Sequence, residues 1–273
     1  MLATMPRVTR KAPGCLLFLI DQSSSMAQQF LGSEHTKAQA VAATINEVIY
    51  RLALNCAPQG DVWDYYHLGA IGYGRTVELA FEGKLTGLGI IPISKVADNP
   101  RRIVARAVLQ DGESLEIKTP EWISPKATAT TPMVAAIAQA ADLIADWIAD
   151  FPDSLPPIVM NLTDGQPSDG DPGAAAARLM DTGTSVGNTL LFNLQLTAAP
   201  KDPVVYPVDR ESIQDPSAQR LFDISSPMPP YLRSAAAGLG VKINEGARGL
   251  CANANMATLV DFLTIGSTPG NLR

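Results

Sequence analysis

The sequence predicts an α/β fold, in which helices cover both faces of a doubly wound, mostly parallel β-sheet with one antiparallel edge strand. Two observations support this prediction. Short, continuously apolar segments, typical of strands buried on both faces, alternate with longer segments that have the period of amphipathic helices. In addition, two apolar segments are joined by a short glycine-containing turn, as in an edge hairpin.

The first half of the chain is expected to supply two central strands, an edge strand and a long helix. Residues 16–20 form an uninterrupted apolar run and are predicted as the first strand. Residues 37–54 carry apolar side chains at helical spacing over a length that can cross the sheet. The segments 67–73 and 76–81 are predicted as two strands of an edge hairpin, joined by the turn at residues 74–75.

The second half continues the alternation of helix and strand. A helix is predicted over residues 132–150, with Thr131 as its N-cap and Pro132 at the first helical position. The further elements expected are a buried strand at 157–162, an alanine-rich helix from the Asp171-Pro172 cap to about residue 182, a strand at 189–196 and a short amphipathic helix at 256–265.

Two stretches interrupt this alternation. In the first, the segments 103–109 and 114–118 flank an Asp-Gly turn and are predicted as a hairpin, and nearby Trp122 is expected to pack against its own loop. The second contains seven prolines and is predicted to be irregular. We expect a single domain over residues 13–266, with the hairpin insert at 83–126, the proline-rich excursion at 198–230 and tails at 1–12 and 267–273.

Composition excludes several classes of function. Of the 273 residues, 46% are hydrophobic and 18% charged, which indicates a folded globular chain. The net charge is −6 and no run of Lys or Arg occurs, so we expect no nucleic-acid partner and no membrane-surface binding. No segment has the ~18 consecutive apolar residues of a membrane span.

The cysteines and the N-terminus suggest a cytoplasmic location. The apolar run at 15–20, after the basic first 11 residues, is short and lacks a small-residue cleavage site, so we expect no signal peptide. The three cysteines are scattered without a CxxC pair, and we expect them to be reduced: Cys15, Cys56 and Cys251.

Oxygen-bearing side chains follow two of the predicted strands. Asp21, Ser23 and Ser25 follow the first strand. Asp164 follows the strand predicted at 157–162, which is the fourth when the inserted hairpin is left out. In a doubly wound sheet of order 3-2-1-4-5-6, strands one and four are neighbours at the crevice where ligands bind. Thr131 adds a hydroxyl from a third loop. Small, hard divalent cations, Mg²⁺ in particular, prefer such an all-oxygen set.

Each of these residues also has a purely structural interpretation. A threonine before a helical proline can be only a cap, Thr-Asp-Gly can be only a turn, and a serine run can be only an exposed loop. Their joint occurrence at strand ends, in the right order, favours a functional site.

Three segments carry a resemblance to a known family. They resemble the metal-ion-dependent adhesion site of von Willebrand factor A (VWA) domains: DQSSSM at 21–26, TTPM at 130–133 and LTDGQP at 162–167. The resemblance covers about residues 13–266 and implies the Rossmann-like VWA fold. It implies that five residues hold the metal, the hydroxyls directly and the carboxylates directly or through water: Asp21, Ser23, Ser25, Thr131 and Asp164.

The chain departs from the family pattern near this site. The family usually has glycine at the position of Ser24, and often two glycines at the positions of Ala129 and Thr130. Bulkier residues there can alter the backbone of both loops, because glycine tolerates conformations that other residues resist.

The resemblance implies a binding module rather than an enzyme. The expected cation is Mg²⁺, with Mn²⁺ or Ca²⁺ as alternatives, in an incomplete shell that a Glu or Asp of a partner protein completes. Similar bacterial proteins are associated with tellurite resistance or serve AAA+ ATPases. They suggest an intracellular adaptor in a stress-response or signalling system, with a kinase, phosphatase or AAA+ ATPase as partner.

Two other functions remain open at this stage. One is a Mg²⁺-dependent phosphoryl-transfer or hydrolytic enzyme, since a metal with hydroxyls and carboxylates can also catalyse. The sequence lacks a P-loop, a dinucleotide fingerprint and a nucleophile elbow, and its two histidines, His35 and His67, have no recognisable nucleophile, so no catalytic residue is predicted. The other is a scaffold that uses no metal.

Overall fold

A sheet of mostly parallel strands organises the fold. The computed structural model describes residues 7–30, 32–110, 113–197 and 201–267. In chain order the strands are β1 (Gly14–Asp21), β2 (Tyr66–Tyr73), β3 (Val77–Leu79), β4 (Ile91–Pro92), β5 (Arg102–Gln110), β6 (Glu113–Glu121), β7 (Ile158–Thr163), β8 (Gly183–Thr184), β9 (Gly187–Asn188), β10 (Leu190–Leu196), β11 (Val204–Val205) and β12 (Leu250–Ala254). The helices are α1 (Lys37–Asn55), α2 (Ile93–Ala97), α3 (Met133–Asp150), α4 (Gly173–Asp181), α5 (Pro216–Asp223), α6 (Pro230–Gly238) and α7 (Met256–Ser267).

The order of the strands is that of a doubly wound sheet. Across the sheet they lie as β11-β12-β10-β7-β1-β2-β3, and β4 also pairs with β2. The five strands from β12 to β2 are parallel, whereas β3 runs antiparallel to β2 at the edge. The two-residue strands β4 and β11 pair antiparallel as well. The predicted Rossmann-like α/β fold and its antiparallel edge strand are therefore confirmed.

Helices cover both faces of the sheet. Side chains alternate along β1, so that Leu16 and Phe18 face one apolar cluster while Leu17 and Leu19 face the other. Helices α1, α2, α6 and α7 contribute to the first cluster, and α3, α4 and α5 to the second. Strand β1 is buried along its whole length, as its uninterrupted apolar run predicts. In the described ranges, no helix is both long enough and apolar enough for a bilayer crossing.

The helices nearest the site begin in different ways. Thr36 caps α1 with a capping box, because its hydroxyl accepts from the Gln39 N–H at 3.2 Å and the Gln39 side chain accepts from the Thr36 N–H at 2.8 Å. The predicted cap of α3 is wrong, since Thr131 does not cap it and Pro132 holds the cap position. The Asp169 carboxylate takes this role and accepts from the N–H groups of residues 134 and 135 at 3.1 and 2.9 Å. A carboxylate there also complements the helix dipole.

The hairpin predicted within residues 83–126 is longer than expected. Strands β5 and β6 pair from Arg102 opposite Glu121 to Gln110 opposite Glu113, and residues 111–112 of the turn lie outside the described residues. Trp122 is 1% exposed, and its indole N–H donates to the Val96 carbonyl at 2.6 Å. Trp122 is therefore buried and has a structural role, as predicted, but its indole bonds to α2 and not to its own loop.

The proline-rich excursion is more ordered than its composition predicts. Helix α5 lies inside it, and α6 begins at its last residue, Pro230. Proline is favoured at the first helical position, and at α5 the Asp215 carboxylate accepts from the Ser217 N–H at 2.9 Å as a cap. The expectation of irregular structure is thus wrong for this part, while residues 198–200 lie outside the described residues.

Candidate metal centre

The site lies where β1 and β7 end side by side. The two strands pair in parallel up to Ile20 opposite Leu162, so the residues that follow them meet at one edge of the sheet. The chain after β1 leads to α1 on one face, and the chain after β7 leads to α4 on the other. Loops that diverge to opposite faces leave a crevice at the carboxyl ends of the strands.

On the β1 side, neutral donors hold a buried carboxylate. Asp21 is 0% exposed, and its Oδ1 accepts from the Ser23 N–H at 2.8 Å while its Oδ2 accepts from the Thr163 hydroxyl at 2.6 Å. Burial raises the pKa of Asp21, the bonds from Thr163 and Ser23 partly offset this effect, and the charge of Asp164 raises the pKa further. Among these contacts no positive charge balances Asp21.

On the β7 side, the carboxylate is held by a charged donor. Asp164 Oδ1 accepts from the Ser25 hydroxyl at 2.6 Å, and Oδ2 accepts from Lys37 Nζ, also at 2.6 Å. The side chains of Lys37 and Asp164 are 4% and 0% exposed. Lys37 Nζ also donates to Gln28 Oε1 at 3.0 Å. A buried ion pair thus closes this side of the site.

The two motif serines connect these halves. Their hydroxyl oxygens are 3.0 Å apart. Because Ser25 donates its only hydroxyl proton to Asp164, Ser23 must be the donor to Ser25. A continuous chain of hydrogen bonds therefore runs from Asp21 through Ser23 and Ser25 to Asp164.

Thr131 lies on the same rim but is not bonded to the other four predicted residues. It is held through its backbone, since its N–H donates to Ser168 Oγ at 3.0 Å and its carbonyl accepts from the Ser168 N–H at 2.9 Å. The preceding loop contacts the β1 loop, where the Thr128 N–H donates to the Gln22 carbonyl at 2.5 Å. Within the described part of the chain, the Thr131 hydroxyl has no hydrogen-bond partner, so its lone pairs are available to a ligand.

Two departures from the family pattern contact each other. The Ser24 N–H and hydroxyl both donate to the Ala129 carbonyl, at 3.2 and 3.0 Å. Ala129 has φ of +56°, in the left-handed region that favours glycine. The alanine there costs roughly 1–2 kcal/mol of backbone strain, and the two hydrogen bonds of Ser24 help to hold this conformation.

Sequence reasoning missed several residues that hold the site, above all Lys37 and Thr163. One signal for Lys37 exists: it is the first residue of α1, where a positive charge opposes the helix dipole and calls for an acidic partner. Thr163 is signalled by its position directly before Asp164 at the end of a buried strand. Ser168 and Asp169, which fix the Thr131 loop, give no such signal.

The donor set fits a hard divalent cation. It consists of oxygen alone, and the 3.0 Å between the serine hydroxyls is close to the ~2.9 Å between adjacent ligands of an octahedral Mg²⁺ with bonds of ~2.0–2.1 Å. No cluster of three or more His, Cys, Asp or Glu side chains suited to a metal occurs in the residues described, so hydroxyls have to supplement the two carboxylates. The ammonium of Lys37 on Asp164 works against a cation.

Comparison with known proteins finds similarity to solved structures in the fold and no match in the sequence. No family model matches the sequence, and no curated protein matches it either. Among solved structures, the pilus adhesin SpaC from Lactobacillus rhamnosus GG aligns with a TM-score of 0.50 and 12% identity, over 96% of this chain and 31% of the adhesin. Its similarity extends over nearly the whole chain and agrees with the α/β fold described above.

Two further structures were found at lower similarity. A von Willebrand factor type A structure from Catenulispora acidiphila has a TM-score of 0.44 and 16% identity, over 94% of this chain and 42% of its own. The manganese-loaded TRAP protein of Plasmodium vivax has a TM-score of 0.45 and 13% identity, over 95% and 75%. This chain spans less than half the length of the adhesin and of the Catenulispora protein.

Proposed function

We propose that this chain is a protein-binding module whose site takes a divalent cation, and that an acidic side chain of a partner protein completes the cation's shell. One observation carries the proposal. Asp21, Ser23, Ser25 and Asp164 converge from two loops on one point of the sheet edge, through hydrogen bonds of 2.6 to 3.0 Å. Thr131, whose hydroxyl has no hydrogen-bond partner among the described residues, lies on the same rim.

The residues divide the work of such a site. Asp21 and Asp164 supply negative charge, and Ser23 and Ser25 supply neutral oxygens whose spacing their loop fixes. Thr163 holds Asp21 in place from the neighbouring strand. When bound, Mg²⁺ would supply an electrophilic centre with exchangeable water, which a carboxylate of another protein can replace. Mn²⁺ and Ca²⁺ take similar oxygen ligands and are the alternatives.

Burial of the thiols disfavours a mechanism with a cysteine nucleophile. All three thiols are buried, and burial raises the pKa of Cys56 and of Cys251 to about 12, so neither is a ready nucleophile. The pKa of Cys15 is raised as well, again by burial. The proposal names no catalytic residue. As partner we propose a protein that presents Glu or Asp, in an intracellular stress-response or signalling system served by a kinase, phosphatase or AAA+ ATPase.

Calorimetric titration with Mg²⁺ tests the metal site. We expect the wild-type chain to bind about one Mg²⁺, as an octahedral oxygen site does. Asp21→Ala should lose this binding, whereas Asp61→Ala, which removes an exposed aspartate from a loop, should retain it. Absence of binding to the wild-type chain, or unchanged binding to Asp21→Ala, would refute the proposal.

Titration with Mn²⁺ tests whether the shell is incomplete. A bound Mn²⁺ that keeps exchangeable water enhances the relaxation of bulk water protons, and a ligand that replaces this water reduces the enhancement. We expect enhancement with the wild-type chain and a decrease on addition of a peptide with an exposed glutamate, but not of its glutamine counterpart. A bound Mn²⁺ without enhancement would mean that the chain closes the shell alone.

A metal-independent scaffold is a second candidate, and one observation favours it. The Lys37 ammonium already gives Asp164 a positive partner, so the site has partial charge balance without a divalent ion. The same calorimetric titration separates the two candidates, because a scaffold would show no Mg²⁺ binding while it retained the fold.

A further inference from the structure

A buried lysine lies in the site, although none of the five predicted ligand residues, nor the resemblance of their segments to VWA domains, requires one. Lys37 Nζ is 2.6 Å from Asp164 Oδ2, and both side chains are almost fully buried. The sequence separates the two residues widely, so this contact depends on where α1 begins relative to the end of β7. The ion pair is therefore part of the tertiary structure of the site.

The surroundings of Lys37 make Asp164 its essential partner. A buried charge is costly unless it is paired and hydrogen-bonded. At the first position of α1, the ammonium also faces the positive end of the helix dipole. Its other hydrogen-bond partner in the described structure, Gln28, is neutral. Asp164 is thus the group that makes a charged lysine tolerable at this place.

A divalent cation would require the same oxygen atoms. The two oxygens of Asp164 are used by Ser25 and Lys37, so a cation beside the serines has to share Asp164 with the ammonium. Two positive charges at short range in a poorly screened site repel each other strongly. Lys37 and a divalent cation are therefore alternative partners of Asp164.

Gln28 offers the displaced ammonium a place to go. It is exposed and already accepts from Lys37 Nζ at 3.0 Å. Lysine has a flexible stem of four carbons, so its outer torsions can turn the ammonium toward solvent. During such a turn, the bond to Gln28 can persist while the bond to Asp164 breaks.

From these contacts we propose that Lys37 is a built-in competitor of the divalent cation: its ammonium occupies Asp164 in the metal-free chain and is displaced when the cation binds. The inference rests on the proposed metal site and adds its regulation. The competition lowers the affinity of the site for the cation below that of its oxygen ligands alone. The metal-free and metal-bound chains then carry different charges at the rim.

Replacement of Lys37 tests the competition by calorimetry with Mg²⁺. Lys37→Met keeps the length of the side chain without its charge, and we expect it to bind Mg²⁺ more tightly than wild type by a factor of about ten or more, because one like charge is removed. Lys37→Arg keeps the charge and should stay weak. Lys95→Met removes an exposed lysine elsewhere and should match wild type.

The outcomes separate this inference from the proposed function. If wild type binds Mg²⁺ and Lys37→Met binds it no more tightly, the inference is refuted and the metal site stands. If only Lys37→Met binds, the lysine excludes the metal fully, and both the metal site of the wild-type chain and the displacement of Lys37 are refuted. If neither binds, both proposals fail.

A second measurement needs no variant and covers the case in which Lys37→Met fails to fold. Acetylation of lysines in the wild-type chain, followed by mass spectrometry, reports how accessible each amine is. We expect Lys37 to be protected without metal and to react severalfold faster with saturating Mg²⁺, while Lys95 stays unchanged. Equal protection of Lys37 with and without Mg²⁺ would refute displacement.

Discussion

The two ends of the parallel strands bury their polar groups in different ways. We call the side of the sheet where these strands end the carboxyl edge and the side where they begin the amino edge. At the carboxyl edge, Asp21 and Lys37 are buried, and the side chain of Asp164 is 0% exposed. At the amino edge, His67 at the start of β2 accepts a hydrogen bond at Nδ1 from the Trp147 indole at 3.2 Å. Burial lowers the pKa of His67, and the charges of Asp64 and Asp150 oppose this shift in part.

The two edges differ in the charges that they bury. At the amino edge, aromatic rings surround His67, including an edge-to-face contact of 4.8 Å between the rings of His67 and Phe151. The carboxyl edge keeps charges that cost free energy to bury, and apolar residues could often replace such charges without loss of stability. Under the proposed function, the buried charges of the carboxyl edge cost stability in exchange for cation binding, whereas His67 at the amino edge has only a structural role.

Of the substitutions at the two edges, Asp164→Ala is expected to cause the largest loss of stability. It leaves the Lys37 ammonium buried without its acidic partner, which should lower the free energy of unfolding by about 3–5 kcal/mol, the range for breaking a buried pair from one side. Mg²⁺ should no longer bind. Urea denaturation with and without Mg²⁺ measures both effects.

The double variant Asp164→Ala with Lys37→Met is its control. Removing both partners of a buried ion pair is often close to neutral, so most of the lost stability should return, while Mg²⁺ binding stays absent. A double variant as unstable as Asp164→Ala would mean that the single variant acts through packing, and the contrast between charged and neutral edges would then fail.

Thr163→Val should have the next largest effect. The substitution keeps the shape of the side chain but removes the hydroxyl that donates to Asp21. A buried acceptor left unsatisfied costs about 1–3 kcal/mol, so urea denaturation at neutral pH should show a loss of this size. Thr86→Val, at an exposed turn, should change stability little.

The pH dependence of this loss has a definite sign. Burial raises the pKa of Asp21 in the folded chain above its unfolded value. The group therefore favours folding below its unfolded pKa, and this contribution is lost as pH rises through the folded pKa. The Thr163 hydroxyl donates to the ionised carboxylate and opposes this rise, so Thr163→Val should lose more stability above the folded pKa of Asp21 than below it. An equal loss at both pH values would contradict a role of Thr163 in holding the carboxylate.

The sequence predicts the sheet well because local patterns determine it. The uninterrupted apolar run of β1 and the helical spacing within α1 suffice to place both elements, and the strand order follows from the doubly wound pattern. The same rule predicts that Asp21 and Asp164 meet, since each stands at the end of a buried parallel strand. Their role as metal ligands, with Ser23, Ser25 and Thr131, stays a prediction.

What the sequence could not predict depends on distant contacts. Asp169 displaces Thr131 as the cap of α3 because the loop after β7 folds back over the start of that helix. Lys37 becomes buried because α1 begins beside Asp164, more than a hundred residues later in the chain. Propensity and spacing describe local structure, and neither specifies which loops meet at a sheet edge.

The smallest expected effect lies at the amino edge and concerns His67. Its pKa is lowered in the folded chain, so the contribution of the neutral ring to stability is present above its unfolded pKa and is lost as pH falls through the folded pKa. His67→Gln can still accept from Trp147 but does not titrate, so the fall in stability just below about pH 6.5 should become shallower. Thermal denaturation across this pH range measures the change. Saturating Mg²⁺ should leave the difference between His67→Gln and wild type unaltered, because the ion acts at the opposite edge; a difference that depended on Mg²⁺ would show that the two edges are coupled.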